Sequence, residues 1–257
     1  MPIELSVHHQ RSRSLLSLFG SCPLEEILHE LPLDLDSGRY IVVLGPTGSG
    51  ATTLLRALAG KLPADLSSTI KTSPESRFRP SMCGFVGLES GVNPPFEGLV
   101  VKDYLNATVR IQCPNLTATK RSSLVQNLIT NFHLSTKDSL YTHCGELHSR
   151  LLLAAESINS HLSLLAVDAG NTALGIEEDL RSMTTKLSCP VVLAVPSLSS
   201  HNFFAADSVI LLHRGSVLVQ GPPRQVLQTI EKVRMRSCPD QENPYDFVLD
   251  FVSNISA

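Results

Sequence analysis

The feature that most constrains this chain is Gly45-Pro-Thr-Gly-Ser-Gly-Ala-Thr-Thr53. It is a glycine-rich run set between a short β-branched stretch, Tyr40-Ile-Val-Val-Leu44, and a segment from Thr53 to Leu62 with helical apolar spacing. Leu54, Leu55 and Leu58 fall on one face of that helix. Glycines at 45, 48 and 50 let the backbone curl until its N–H groups converge, and the start of the following helix adds a dipole that favours an anion. Strand, glycine loop and helix in that order are the context in which such a run cradles phosphate. The pattern G-x-x-x-x-G-K-S/T is broken at one position, where Ala51 stands in place of lysine. Thr52 keeps the hydroxyl that meets Mg²⁺ in such loops. A lysine–phosphate contact is a charge-assisted hydrogen bond worth about 1.5–3 kcal/mol, so its loss predicts binding weaker by about tenfold to a hundredfold. On the residues alone, a strand-to-helix turn without a ligand remains the alternative.

Three further runs, Ser163-Leu-Leu-Ala-Val167, Val191-Val-Leu-Ala-Val195 and Ser208-Val-Ile-Leu-Leu212, are short and apolar, which suits strands buried on both faces of a parallel sheet. Helical spacing over Glu146 to Asn159 and Ile176 to Leu187 alternates with them and indicates a doubly wound α/β core. His213-Arg-Gly-Ser216 predicts a turn into Val217-Leu-Val219, hence a terminal hairpin, and Gly221-Pro-Pro223 ends it. Between about Asn93 and Ser160 two helical patterns, around Lys102 to Val109 and Ser122 to Phe132, flank the Cys113-Pro-Asn-Leu-Thr loop. They interrupt the sheet as an inserted helical subdomain.

Composition removes several classes of function. A formal net charge of −3 without a basic stripe leaves no electrostatic footprint for nucleic acid, and Arg77-Phe-Arg79 reads as a solvated loop. The six cysteines (Cys22, Cys83, Cys113, Cys144, Cys189, Cys238) include no C-x-x-C pair, so neither a zinc site nor a disulfide framework is signalled and a reducing cytosol is expected. No apolar run of membrane-spanning length occurs, and Met1-Pro-Ile-Glu-Leu lacks the basic-then-apolar order of a signal peptide. The chain is expected to be soluble, with any membrane role reached through a partner chain or a further segment.

Leu44-Gly-Pro-Thr-Gly-Ser-Gly-Ala-Thr-Thr-Leu-Leu-Arg-Ala-Leu-Ala-Gly60 resembles the Walker A segment and following helix of ABC transporter ATPases. Gly84-Phe-Val-Gly-Leu-Glu89 and Leu99-Val-Val-Lys-Asp-Tyr-Leu105 resemble that family's Q-loop and its L-T-V-R-E-x-L helix entry, with Leu88 at the glutamine position. Thr142-His-Cys-Gly-Glu-Leu-His-Ser149 matches the signature V-S-G-G-E-R-K-R by register; His143 and Cys144 replace the serine and first glycine, whereas Gly145 and Glu146 remain. Leu164-Leu-Ala-Val-Asp168 is similar to the Walker B strand. There Asp168 is kept, Ala169 stands at the catalytic glutamate and Gly175 at the D-loop aspartate. In Ala194-Val-Pro-Ser-Leu-Ser-Ser200, Pro196 takes the place of the switch histidine. Neighbouring His201 reads as a solvated loop residue, and His143 and His148 as surface residues rather than a metal site. Cys238-Pro-Asp-Gln-Glu-Asn-Pro-Tyr-Asp-Phe-Val-Leu-Asp-Phe-Val-Ser253 resembles the C-P-x-x-x-N-P-A-D-F-x-x-D segment of G-subfamily (White/PDR type) domains; alone it would read as a loop and an amphipathic helix packing Phe247, Val248 and Phe251. Phe19 reads as ordinary packing in preference to an adenine-facing aromatic.

The resemblance implies an α/β, RecA-like P-loop NTPase fold: a mostly parallel sheet, an inserted helical subdomain and a small antiparallel β portion. It implies one nucleotide-binding domain over 1–257, with an ATP-binding core at 1–92 and 161–230, a helical subdomain at 93–160 and a G-subfamily extension at 231–257. ATP and Mg²⁺ are the implied cofactors. Gly45, Pro46, Thr47, Gly48, Ser49, Gly50, Ala51, Thr52 and Thr53 would hold the nucleotide, and Thr52 and Asp168 the metal ion. No catalytic residue is carried over. The implied role is a weakly ATP-binding, hydrolysis-impaired domain at the cytoplasmic face of a membrane. It would act as a structural or regulatory partner of a second ABC nucleotide-binding domain and of a transporter's transmembrane domain. The alternatives are an active transport ATPase with non-standard residues and a soluble interaction protein that no longer binds nucleotide.

Overall fold

Apolar runs bounded by turn residues become strands, and the run that feeds the glycine loop lies inside the sheet. In the computed structural model, which describes residues 2–9, 26–35, 39–73, 78–87, 100–134, 146–159, 161–169 and 177–255, β3 (Tyr40–Leu44) is buried at every residue. It pairs in parallel with β7 (Val191–Ala194) on one side and β8 (Ser208–His213) on the other. β6 (Leu164–Asp168) pairs in parallel with β7, and β5 (Cys83–Gly87) with β6. β9 (Ser216–Gly221) closes the far edge antiparallel to β8, giving a six-stranded sheet in the order β5-β6-β7-β3-β8-β9.

Side chains of the central strands alternate between two cores, as the two-residue period of a strand requires. Val42, Leu44, Leu165, Val167, Val191, Leu193, Val209 and Leu211 enter one cluster. Ile41, Val43, Leu164, Ala166, Val192, Ala194, Ile210 and Leu212 enter the other. The second cluster is covered by α1 (Ala51–Leu58), through Leu54, Leu55, Ala57 and Leu58, and by a three-stranded antiparallel sheet of order β2-β1-β4. Its strands are β1 (Pro2–His9), β2 (Glu26–Asp34) and β4 (Leu66–Thr72). The composition of β4, Leu-Ser-Ser-Thr-Ile-Lys-Thr, gives it no strong apolar alternation, and it lies at the sheet edge with its polar residues exposed.

The first cluster is covered by helices. α2 (Val101–Gln112) buries Val101, Leu105 and Val109, and α3 (Ala118–Asn131), capped by the Thr117 hydroxyl, buries Val125, Leu128 and Ile129. These lie where the two inserted helical patterns were expected, each a few residues longer. α4 (Glu146–Glu156) and α5 (Glu177–Leu187) are joined by the half-buried pair Arg150 Nε–Asp179 Oδ2 at 3.0 Å. α6 (Ser200–Ala205), α7 (Pro223–Arg234) and α8 (Pro244–Ile255) complete this layer. Pro222 and Pro223 stop β9 and start α7, whose first turn needs no proline N–H. Phe247 and Val248 of α8 are fully buried as expected, whereas Phe251 is only half-buried and Val252 takes the inner position. Among the described residues no helix is long and apolar enough to cross a membrane.

One carboxylate sits awkwardly in this packing. Glu156 ends α4 against β5, where a Cβ placed on Gly84 would lie 3.0 Å from Glu156 Oε2. Burial pushes its carboxyl above the ordinary range, and the Lys61 charge only partly opposes this. A folded-state pKa raised in this way contributes stability that is full below the unfolded value and lost as pH rises through the folded one. Glu156→Gln is therefore expected to raise the unfolding temperature at pH 7.5, with the advantage shrinking as pH falls through the folded pKa towards 4. Thermal melts of both proteins across that range check it.

Candidate functional site

The glycine loop owes its shape to two residues in the left-handed region. Gly48 has φ 82° and Gly50 φ 99°, and Gly50 is the N-cap of α1. Ser49 N donates to the Pro46 carbonyl at 2.9 Å, and Leu54 N donates to the Gly50 carbonyl at 2.8 Å to begin the helix. At Gly48 a side chain would find open space, so the dihedral angle alone selects glycine there. At Gly50 room is also lacking, since a Cβ would come within 2.6 Å of Leu28 Cδ2. Thr47, Gly48 and Thr52 face solvent, Pro46, Ala51 and Thr53 are half-buried, and Ser49 is buried. The first turn of α1 carries no acidic residue, so its positive end is not neutralised from within.

The loop is held from behind. β8 and β9 join through Arg214 (φ 44°) and Gly215 (φ 76°), a two-residue turn of the type I′ kind. Gly215 N donates to the Ser49 carbonyl at 3.0 Å, and the Gly215 carbonyl accepts from His29 N at 2.9 Å. A Cβ on Gly215 would fall on the Ile27 carbonyl oxygen. Beside this junction Glu26 stands between two imidazoles, 3.0 Å from His29 Nδ1 and 3.4 Å from His8 Nδ1.

Asp168 ends β6 with its side chain buried, paired in register with Ala194 at the end of β7, and β7 alone separates β6 from β3. Asp168 and the loop thus share the carboxyl edge of the parallel strands, where open α/β sheets bind ligands. Ala169 continues the ladder, its N donating to the Ala194 carbonyl at 2.9 Å, and its methyl is buried in the first cluster. Pro196 is exposed just beyond β7, and His201 is exposed on α6. Among the described residues no group of three or more His, Cys, Asp or Glu could hold a metal ion. Thr52 is exposed and Asp168 buried, and two oxygen ligands are too few for an all-protein cage, so Mg²⁺ here would have to draw most of its shell from phosphate oxygens and water. Phe19, Leu88, His143, Cys144, Gly145 and Gly175 lie outside the described residues, as do the side chains of Glu146 and His148.

Sequence reasoning missed the supports of this edge. The Arg214-Gly215 turn was legible as a turn, but not its bonds to Ser49 and His29. The hydroxyl of Tyr245, which donates to the Val195 carbonyl at 2.8 Å, left no local trace.

This is the fold of an ABC ATPase: a mostly parallel P-loop NTPase sheet with helices and a small antiparallel sheet. The solved structure of cbiO1 from Clostridium perfringens, described as part of the ABC transporter complex cbiONQ, superposes with a TM-score of 0.66 at 17% identity, covering 92% of this chain and 96% of that one. No family model matches the chain. In sequence it is similar to ABC transporter G family members and to ABC ATP-binding subunits. It is 26% identical to ABC transporter G family member 22 of Arabidopsis thaliana over 98% of this chain and 35% of that protein. It is 29% identical to G family member 7 of the same plant over 84% of this chain and 32% of that protein. The zinc import ATP-binding protein ZnuC of Ruegeria is 26% identical over 79% of this chain and 78% of its own length. The chain spans about a third of the length of these G family members.

The junction behind the loop makes a testable demand. Gly215→Ala combines a left-handed φ with a collision against backbone, so it is expected to destabilise the fold by about 2 kcal/mol or more. Urea denaturation of the variant beside the parent protein measures this.

Proposed function

We propose that this chain is a nucleotide-binding domain of a G-type ABC transporter that binds Mg·ATP weakly, hydrolyses it little or not at all, and acts as a structural or regulatory partner. The observation that carries the reading is the shaped glycine loop opening onto the un-neutralised start of α1, with Ala51 in the lysine place. Backbone N–H groups of residues 45 to 53 would bind the phosphates, since a loop of this shape supplies donors whatever side chain position 51 carries. Thr52 and Asp168 would hold Mg²⁺, which supplies charge neutralisation to the phosphates when bound. Ala51 adds no cation, so the phosphates gain no charge-assisted bond from that position.

Ala169 adds no carboxylate, and its methyl faces the apolar cluster, so position 169 would supply no base to orient an attacking water. Loss of a general base costs about 10²–10⁴ in rate. In pairing with an intact second ABC nucleotide-binding domain, one weak site would be retained, made of that partner's phosphate loop and the altered signature at His143 to Glu146 of this chain. A transmembrane domain would complete the transporter and select its substrate. In this reading residues 1–92 and 161–230 form the ATP-binding core with its β portion, 93–160 the helical subdomain and 231–257 the carboxyl-terminal extension.

Calorimetric titration with Mg·ATP tests the reading. Saturable binding is expected in the parent protein and is lost in Thr52→Ala and Asp168→Ala. Ala51→Lys is expected to tighten it by about tenfold to a hundredfold, while phosphate release stays at background in both. Absence of binding at millimolar ATP in the parent and in Ala51→Lys would sink the proposal and leave an ABC scaffold without its ligand. Phosphate release above background would make the chain a working ATPase.

A further inference from the structure

The loop that follows β7 is tied down by the last helix. Tyr245, 1% exposed, donates its hydroxyl to the Val195 carbonyl. Two residues earlier, the Asn243 amide donates to the Leu198 carbonyl at 2.7 Å, and its side-chain oxygen accepts from Tyr245 N at 3.1 Å and from the Ser200 hydroxyl at 3.3 Å. The Asn243 carbonyl accepts from Phe247 N at 3.0 Å, so the residue that grips the loop also starts α8. Phe203 of α6 is buried in the same cluster as Tyr245, Phe247 and Val248. α8 is fastened to α7 in turn, since Arg234 donates to the Phe247 carbonyl at 2.9 Å and lies 4.5 Å over the Phe247 ring, and in the connection between the two helices Cys238 N donates to Glu231 at 2.8 Å.

We propose that Asn243 and Tyr245 form a lock that makes the docking of α8 and the ordering of the 195–200 loop one equilibrium, so that the C-terminal helix pair sets this wall of the candidate site. Val195 and Leu198 are buried, and their carbonyls lose these donors if α8 leaves, which costs more than a surface hydrogen bond returns. The loop begins one residue after Ala194, the register partner of Asp168, so its order bears directly on the edge that carries the buried carboxylate. A contact made on α8 therefore reaches the site through the 195–200 loop. This goes beyond the nucleotide reading and does not depend on it.

Hydrogen–deuterium exchange on the whole chain without nucleotide tests the lock. Tyr245→Phe keeps the buried ring and removes only the donor. Amides of 197–203 are expected to exchange about tenfold faster or more, while those of β3 and β6 stay as in the parent protein. Linkage requires the reverse effect: Phe203→Leu, which loosens α6, is expected to speed exchange over 247–252 by several-fold. Uniform acceleration throughout the chain, an unchanged loop in Tyr245→Phe, or an α8 indifferent to Phe203→Leu would each overturn the proposal.

Discussion

The hydrogen bond from Gly215 to the Ser49 carbonyl fixes the position of the glycine loop relative to everything else. A loop with two left-handed residues has no regular ladder of its own, so its backbone groups must find partners elsewhere or in water. Ser49 finds one in the β8–β9 turn, and that turn finds one in His29 of β2. The small antiparallel sheet, the hairpin at the far edge of the parallel sheet and the loop therefore meet at one point. The approach is close enough that only glycine fits at 215, and nearly so at 50. β3, buried between β7 and β8, delivers the loop to the carboxyl edge, and the Gly215 bond sets how it lies there.

The central strands were legible because burial on both faces leaves an uninterrupted apolar run, and β3, β6, β7 and β8 lie within a residue or so of the expected spans. The strands of the small sheet were not located. β2 carries a bulged Glu30 at φ 27°, Pro32 and a register irregularity against β1, which blur its alternation. β4 is largely polar because it is an exposed edge. The loop residues were legible because their chemistry is local: glycines where φ is positive, a helix immediately after. The supports were not, because Tyr245 lies 50 residues from the carbonyl it satisfies. A buried hydroxyl in an Asn-Pro-Tyr context gives no sign of which backbone it will find.

The departures at 51 and 169 act on different parts of the problem. Backbone donors and the α1 dipole are properties of the loop's shape, and they survive the loss of a lysine side chain. Charge pairing with phosphate does not. At 169 the proposed reading concerns the group that would orient water, while the neighbouring Asp168 is buried at the strand end. On the proposed reading affinity and chemistry would be affected by separate positions, and a cation placed at 51 would bear only on the first.

Those same changes suit a loop that stands without a ligand. A lysine at the first turn of α1 would set a cation against the positive end of the helix dipole, an arrangement that is unfavourable until phosphate arrives. Ala51 has the highest helix propensity available, and it packs against the second cluster. A glutamate at 169 would take a carboxylate towards the first cluster, where Ala169 now leaves an apolar surface. Each replacement removes a charge whose partner would be supplied from outside the chain. What remains is a site held in shape by hydrogen bonds within the protein: Gly215 to Ser49, His29 to Gly215, Tyr245 to Val195. The hairpin and the C-terminal helix thus each supply a hydrogen bond to a loop of this edge, one at Ser49 and one at Val195.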